Sequence, residues 1–240
     1  MLTRTFKADK LSVNIYDTRR SMGAAAASDI ASCIKELLSQ KDSIRMIFAA
    51  APSQNEMLEA LVADKEIEWN RVHALHMDEY VNLPSEAPQG FGNFLRRAIF
   101  DRVPFASVNL IGTDADSEAT CRRYDALLAA NTVDIVCMGI GENGHIAFNE
   151  PADHFPMGTH VVDLQESTIN ANARFFASAD EVPRKAMTMG IGTAVMIPLG
   201  ITGGCVVLTL CSRKPLYPWL ISVFSLVLPL LIYVINMYPA

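Results

Sequence analysis

Residues 133–151 read VDIVCMGIGENGHIAFNEP, and this segment is the strongest indication of the fold class of the chain. Residues 133–138 form an apolar run with the length and β-branched content that are typical of a buried strand. The run continues into a glycine-rich turn, where the backbone can approach a ligand closely, and then reaches His145 and Glu150. In a parallel α/β sheet, chemically active side chains follow the carboxyl ends of strands in this way. We therefore expect this strand to lead directly into a functional site.

The turn carries two groups that are suited to proton transfer. A histidine titrates near neutral pH, and Glu150 is near enough in sequence to orient His145. The spacing of Gly139, Gly141 and Gly144 also satisfies the Gly-x-Gly-x-x-Gly pattern of dinucleotide-binding turns. That pattern normally opens the first strand–helix–strand unit, whereas here it comes late in the chain and Asn-Glu-Pro interrupts the helix that should follow. We therefore disfavour a nicotinamide cofactor and expect no cofactor at all.

Predicted strands and helices alternate around this stretch. Apolar periodicity predicts helices at residues 21–40, 55–63, 92–101 and 117–130, and strands at 45–50, 71–77, 108–111 and 133–138. This order implies right-handed crossovers and an α/β fold with a doubly wound, mostly parallel, Rossmann-like sheet that has helices on both faces. A length of 240 residues suits one domain of ordinary size.

Composition narrows the classes of partner. The formal net charge is −6 and no basic stripe is present, which argues against a nucleic-acid partner. The five cysteines are scattered without the spacing of metal ligands and fit reduced thiols. His73 and His76 lie three apart on a predicted strand, so they point to opposite faces and make a poor pair of metal ligands. The charged N-terminus does not resemble a secretory signal, so we expect a cytoplasmic protein without a metal site.

Two motifs together resemble the glucosamine-6-phosphate deaminases, which are also called isomerases. They are GENGHIAFNEP at residues 141–151 and LHMDEYVNLP at residues 75–84. The segments CRRY at 121–124 and NARFF at 172–176 extend the resemblance, which runs from about residue 44 to residue 193. The 6-phosphogluconolactonases share the fold, but there the glycine-rich turn usually continues into Thr-Ala-Ser and the Met-Asp-Glu-Tyr motif is absent.

The resemblance implies the isomerising deamination of glucosamine 6-phosphate to fructose 6-phosphate and ammonia in amino-sugar catabolism. Opening the pyranose ring and moving a proton between C2 and C1 require two acid–base groups and no metal or redox cofactor. The resemblance assigns proton transfer to Asp78 and ring opening to His145, held by Glu150. It also assigns substrate contacts to Gly144 and phosphate binding to Arg174. The expected partner is a small amino-sugar phosphate, and a homo-oligomer stays open.

One departure from the family pattern lies beside the histidine. The family usually has Asp at the position of Asn143, and that Asp completes an Asp-His-Glu relay. An amide cannot supply the negative charge that raises the basicity of His145. We therefore expect slower ring opening or a different substrate.

A second departure is the sequence AAAPSQNE at residues 49–56, where the family's commoner loop is rich in Gly and Thr. Ser53, Gln54 and Asn55 still place side-chain donors at a predicted helix N-terminus, which favours an anion such as a sugar phosphate. The alternative is a simple helix N-cap by Ser53, in a capping box with Glu56, and the two roles are compatible.

The chain changes character after about residue 193. No charged residue lies between Lys185 and Arg213, and none follows Lys214. We therefore divide the chain into an isomerase/deaminase-like domain at 1–193, incomplete at its C-terminal end, and an atypical apolar tail at 194–240. Residues 195–201 and 204–210 suit buried strands.

Residues 216–238 are long enough to cross a bilayer, and the cations before them would keep the preceding domain in the cytoplasm. A buried core segment and an altered C-terminus, such as a shifted reading frame, are the alternatives. Two further functions also stay open: hydrolysis of a sugar-phosphate lactone, and an inactive sugar-phosphate-binding or membrane-tethered remnant.

Overall fold

The computed structural model describes residues 1–8, 11–113, 116–141, 143–192, 205–212 and 230–236. Two sheets organise these residues. The larger has eight strands: β1 (Leu2–Ala8), β2 (Leu11–Tyr16), β3 (Ile44–Phe48), β4 (Val72–His76), β6 (Ser107–Asn109), β7 (Ile135–Met138), β10 (Cys205–Ser212) and β11 (Leu230–Asn236). The smaller is antiparallel and has three strands: β5 (Asp78–Tyr80), β8 (His160–Asp163) and β9 (Lys185–Thr188).

Five α-helices connect and cover the strands in the described part of the chain. They are α1 (Arg19–Leu38), α2 (Asn55–Ala63), α3 (Phe91–Leu95), α4 (Ser117–Ala129) and α5 (Glu166–Asn172). Short 3-10 helices lie at Pro52–Gln54, Trp69–Arg71, Ala173–Phe175 and Ala179–Glu181. The predicted helix at 92–101 is only half α-helical, because Arg96–Phe100 forms a π-helical turn that packs Phe100 against Phe48 and Phe105.

The strand order in the large sheet is β1-β2-β11-β10-β7-β3-β4-β6. The β1–β2 pair is antiparallel and all other neighbours in this sheet are parallel, so the predicted doubly wound, mostly parallel sheet is confirmed. From β3 the chain moves outward through β4 to β6 and then returns to the other side of β3 as β7. Loops that leave β3 and β7 therefore diverge, and the crevice between them is where ligands bind in such sheets.

Strand β3 shows why helices cover both faces of the sheet. All five of its residues are buried. Met46 and Phe48 belong to the core that β3 forms with α1 and α2, whereas Ile47 belongs to the opposite core, which contains residues of α4. Alternate residues of one strand thus enter two cores, and each core fixes one layer of helices.

Helices α1 and α2 approach each other closely at Gly23. A Cβ atom on Gly23 would lie 2.5 Å from Cβ of Glu56 and 2.7 Å from its carbonyl carbon. The N-terminus of α1 is capped by Thr18, whose hydroxyl accepts a hydrogen bond from the backbone N–H of Ser21 at 3.1 Å. The close approach at Gly23 holds the first turns of α1 beside the start of α2.

Two strands of the apolar C-terminal region lie inside the large sheet. β10 pairs with β7 and β11, and β11 pairs with β2, so the two strands fill the sheet between β7 and β2. The predicted strand at 204–210 overlaps β10, whereas the predicted strand at 195–201 lies outside the described residues.

The proposed bilayer span at 216–238 requires a correction where it is described. Residues 230–236 form strand β11, and the rest of the span lies outside the described residues. A strand that is buried in a parallel sheet and a membrane helix both lack charge, which is why hydropathy did not separate them. Within the ranges that the structure covers, no helix combines the length and the apolar character needed to span a membrane.

Candidate active site

A cavity of about 530 Å³ opens at the carboxyl ends of β3 and β7. It occupies the crevice between these two strands, since the loops that follow both strands line it. Its lining consists of Arg19, residues 49–53, Met77, Asp78, Phe91, residues 139–141, His145, Ala147, Phe148, Thr168, Ala171, Asn172, Arg174 and Phe175. The cavity thus gathers residues from both sequence motifs and from the segment around Arg174.

The glycine-rich turn after β7 is shaped to hold the His145 ring. The Gly141 N–H donates to the His145 carbonyl at 2.9 Å, and the Gly144 N–H donates to the Gly141 carbonyl at 3.0 Å. Gly144 has a φ of 93°, which favours glycine. A Cβ atom on Gly141 would lie 2.2 Å from Cε1 and Nε2 of His145, so any larger residue would displace the ring.

Asn143 joins His145 to Glu150. The Asn143 Oδ1 atom lies 2.8 Å from Nδ1 of His145 and also accepts from the His145 backbone N–H at 3.2 Å. Its Nδ2 atom donates to Oε2 of Glu150 at 2.6 Å, and that oxygen lies 3.5 Å from Nδ1 of His145. Because an amide oxygen can only accept, Nδ1 carries the ring proton, and Nε2 of the neutral ring is left as the proton acceptor.

Glu150 provides a lasting negative charge behind the histidine. Burial opposes its ionisation, but hydrogen bonds from His145, Thr168 and Asn143 and from the Gln165 backbone N–H outweigh that effect and lower the pKa of Glu150 to about 2. The charge that an Asp at position 143 would supply is therefore provided by Glu150, whose Oε2 atom lies 3.5 Å from Nδ1 of His145.

Asp78 lies at the start of β5 on the wall of the same cavity. Burial raises the pKa of Asp78 to about 8, and the neighbouring charge of Glu79 adds to the shift. This carboxyl group therefore holds a proton at neutral pH, and a pKa near the working pH suits a group that transfers protons.

Glu79, the residue after Asp78, anchors the start of α3 and lies close to His76, a role that the sequence did not suggest although both residues belong to the LHMDEY motif. The Glu79 carboxylate accepts hydrogen bonds from the backbone N–H groups of Phe91 at 3.0 Å and Gly92 at 2.9 Å, at the start of α3. Burial would raise the pKa of Glu79, but His76, whose Nε2 lies 3.8 Å from Oε2, and these N–H groups hold it below its ordinary range.

The predicted anion-binding residues lie at different depths. Ser53 lines the cavity, whereas Gln54 is buried and its Nε2 donates to the Ser53 hydroxyl at 3.2 Å. Asn55 is exposed and lies outside the cavity lining. The predicted capping box requires a correction, because α2 begins at Asn55 and carries no side-chain cap, and Glu56 instead binds Arg19.

Two arginines line the cavity. Arg174 is exposed, and its guanidinium carbon lies 4.8 Å from the centre of the Phe175 ring. Arg19 was not a predicted site residue. Its Nε and Nη2 atoms each lie 2.7 Å from an oxygen of Glu56, and Nη2 also donates to the Pro52 carbonyl at 2.5 Å.

The small sheet ties the two motifs together. In β5, Asp78 pairs with Thr188 of the central strand β9. The Thr188 hydroxyl accepts a hydrogen bond from the backbone N–H of Phe148, in the histidine motif, at 2.9 Å. One strand therefore contacts both acid–base motifs.

A second cavity, of about 400 Å³, lies at the opposite edge of the large sheet. Its charged groups are engaged in holding the fold, since Lys41 and Asp134 form an ion pair and the guanidinium of Arg45 donates to backbone carbonyls at the end of α4. His73 lines this cavity whereas His76 is buried in the core, so the two histidines do not face a common site where they could bind one metal ion. Among the described residues, no group of three or more His, Cys, Asp or Glu side chains could hold a metal ion.

Comparisons with known proteins give one family. The family model described as glucosamine-6-phosphate isomerases/6-phosphogluconolactonase matches residues 17–174. The glucosamine-6-phosphate deaminase of Bacillus cereus (strain B4264) is 40% identical over 161 residues, which cover 67% of this chain and 61% of the relative. That of Bacillus cytotoxicus is 44% identical over 135 residues, which cover 56% of this chain and 52% of the relative. The chain thus spans between 52% and 61% of the length of these curated relatives.

Solved structures give the same picture. A monomeric glucosamine-6-phosphate deaminase superposes with a TM-score of 0.80 at 28% identity, covering 94% of this chain and 97% of that chain. The 6-phosphogluconolactonase from Thermotoga maritima superposes with a TM-score of 0.66 at 17% identity, covering 94% of this chain and 99% of that chain. The second match shows a shared fold alone.

Proposed function

The chain belongs to the family of glucosamine-6-phosphate isomerases and 6-phosphogluconolactonases, and we propose that it converts glucosamine 6-phosphate and water into fructose 6-phosphate and ammonia. One observation carries the proposal. A carboxyl group with a pKa of about 8, Asp78, and a histidine backed by an ionised carboxylate, His145 with Glu150, line the same cavity. An aldose–ketose conversion with deamination requires two such groups.

Ring opening falls to His145. Its Nε2 atom accepts the proton of the sugar's C1 hydroxyl and returns a proton to the ring oxygen as the C1–O5 bond breaks. While the imidazole is protonated, the ionised Glu150 stabilises the positive charge, and Asn143 keeps the Nδ1 proton in place.

Isomerisation falls to Asp78. The ammonium group of the bound sugar favours the ionised form of the carboxyl group, which then removes the proton from C2 while the ammonium group gives one proton to O1, so that an enolamine forms. The protonated carboxyl group then delivers its proton to C1. The nitrogen stays on C2 as an imine, and water hydrolyses this imine to the ketone and ammonia.

The comparisons support the amino sugar over a lactone. The deaminases of Bacillus are 40% identical over 161 residues, whereas the lactonase structures share the fold at 17% identity or less. Hydrolysis of a lactone needs one group that activates water, and it gives no role to a second carboxyl group that is kept protonated near neutral pH. We also propose that residues 1–193 carry the site and that the protein acts in the cytoplasm, where sugar phosphates and reduced thiols such as those of Cys121 and Cys137 occur.

The test uses the purified full chain, with release of ammonia and of fructose 6-phosphate measured in separate coupled assays. Equal amounts of both products are expected from glucosamine 6-phosphate. Asp78→Asn should lower the rate at least about 100-fold. The matched control is Asp153→Asn, at an exposed carboxylate outside the cavity lining, which should leave the rate unchanged. Absence of both products, or full activity of the Asp78 variant, would contradict the proposal, and hydrolysis of 6-phosphogluconolactone by the same sample would favour the lactonase.

A further inference from the structure

We propose that Arg19 and Glu56 act together to set the affinity of the cavity for the phosphate group of the substrate, with Arg19 supplying the attraction and Glu56 limiting it. The inference rests on the proposed function, in which the ligand is a sugar phosphate. It concerns two residues outside both sequence motifs.

The first step is the position of Arg19. It is the first residue of α1, and its side chain reaches the loop at 49–53, which follows β3. Arg19 and this loop line the same cavity as Asp78 and His145. A sugar whose C1 and C2 lie at the acid–base groups can therefore present its other end to Arg19.

The second step is the chemistry of the loop. Residues 49–52 are Ala-Ala-Ala-Pro, so among the loop side chains only the Ser53 hydroxyl can donate to an anion. A phosphate with nearly two negative charges is costly to desolvate unless a cation or several donors replace the water. Arg19 brings a positive charge to residues 49–52, whose side chains carry no hydrogen-bond donor.

The third step is the rigidity of the guanidinium. Both oxygens of Glu56 and the carbonyl of Pro52 fix its plane, and yet 34% of the side chain is exposed. Such a fixed, accessible group loses little conformational entropy when it binds an anion. The contact with Pro52 also couples Arg19 to the loop that carries Ser53.

The fourth step is the role of Glu56. Its hydrogen bond from Arg19 holds the pKa of Glu56 below its ordinary range, so the carboxylate is ionised at neutral pH. Glu56 therefore offsets much of the charge of Arg19. The two partners should therefore have opposite effects on anion affinity: loss of Arg19 should weaken anion binding, and loss of the Glu56 charge should strengthen it. An ion pair that only stabilises the fold would show no such opposition.

The test measures KM and kcat for glucosamine 6-phosphate and, in parallel, the dissociation constant of inorganic phosphate by calorimetry at constant ionic strength. For Arg19→Met, KM and the phosphate constant should both rise about 10- to 100-fold, which is the usual weight of a charge-assisted contact, while kcat changes less than about 3-fold. For Glu56→Gln, both constants should fall about 3- to 10-fold, since the charge of Arg19 is no longer offset.

The matched control is Arg20→Met, which removes the neighbouring arginine, an exposed residue outside the cavity lining. It should leave both constants within about 2-fold of the wild type, because an exposed charge is well screened. If Arg19→Met does not fold, Arg19→Lys and Glu56→Gln still carry the test, and Arg19→Lys should weaken phosphate binding less than 10-fold because it keeps the charge and loses the two-point contact.

The inference is overturned if the two charge-removing substitutions change phosphate affinity in the same direction, or if wild-type protein binds no phosphate. Calorimetry needs no turnover, so a chain that binds phosphate with these opposite shifts but releases no ammonia would retain the inference and lose the proposed reaction. If the wild type releases ammonia but Arg19→Met has an unchanged dissociation constant for phosphate, the proposed reaction is retained and the inference about Arg19 is lost.

Discussion

Replacement of Asn143 by aspartate reverses an expectation that comes from sequence alone. An aspartate would restore the family's more usual residue and so should raise the basicity of His145. In the structure, however, the Asn143 amide nitrogen lies 2.6 Å from an oxygen of Glu150, and the pKa of Glu150 is lowered to about 2. Asn143→Asp would therefore place a second carboxylate against one that is already ionised.

The size of the conflict follows from the distance. At 2.6 Å and an effective dielectric constant of about 20, two unit charges repel by roughly 6 kcal/mol. The folded protein can avoid this by binding one proton between the two groups, which raises the folded-state pKa of one carboxyl group above the value of about 4 that it has in the unfolded chain. Stability is then lost as the pH rises above about 4, by at most about 1.4 kcal/mol per pH unit.

The assay is urea unfolding of wild type and Asn143→Asp at pH 5 and pH 8. We expect the variant to lose less than about 1 kcal/mol of unfolding free energy at pH 5 and about 2–4 kcal/mol at pH 8. Asn143→Ala is the control, because it removes the donor without adding a charge, so its loss should be the same at both pH values. Adding Glu150→Gln to the aspartate variant should restore a donor–acceptor pair and remove the pH dependence.

An Asn143→Asp variant that is as stable as wild type at pH 8 would refute the short contact between Asn143 and Glu150. Higher activity at pH 8 without loss of stability would do so too, and it would support the view that the asparagine weakens the relay. A loss of the same size at both pH values would point to packing instead of charge.

Three further predictions concern a carboxyl group and two glycines. Because burial raises the folded-state pKa of Asp78 to about 8, wild-type stability should fall between about pH 4 and pH 8, and Asp78→Asn should be more stable than wild type by about 2 kcal/mol at pH 8 in urea unfolding; parallel pH profiles would contradict this. Gly141→Ala places a Cβ atom 2.2 Å from the His145 ring and should lower ammonia release about 100-fold with little change in Tm, so unchanged turnover would place the ring elsewhere. Gly23→Ala places a Cβ atom 2.7 Å from backbone of Glu56 and should cost about 1–3 kcal/mol of unfolding free energy, although alanine is the better helix former; a stabilised variant would show that α1 and α2 can separate.

The central fold was predictable because the middle strands β3 and β7 are buried on both faces. Residues 133–138 read as an apolar run, and their continuation into a glycine-rich turn fixed the sheet edge that carries the chemistry. The helix at 55–63 begins and ends as predicted, since its apolar positions recur at helical spacing.

The last strands and the supporting residues were not predictable for different reasons. The uncharged run that contains β11 satisfies both a buried strand and a bilayer span, so its place in the sheet depends on tertiary pairing with β2. Arg19 binds Glu56 across 37 positions of sequence, and nothing local marks that partnership. Glu79 stands next to Asp78 in the motif, but its function as the acceptor for the start of α3 appears only when the chain is folded.

Strand β9 gives the small sheet an importance that its four residues conceal. It lies between β5 and β8, one of its neighbours begins with Asp78, and its Thr188 anchors the histidine motif. A fragment that stopped before Lys185 would keep every residue of the two motifs but would lose β9, the strand that sets the distance between them. The side chains of β9 lie outside the cavity lining, so substitutions there look harmless. A shift of its pairing by one position would nevertheless turn alternate residues to the other face of the sheet, so in laboratory evolution we expect substitutions in β9 to be among the most damaging outside the cavity.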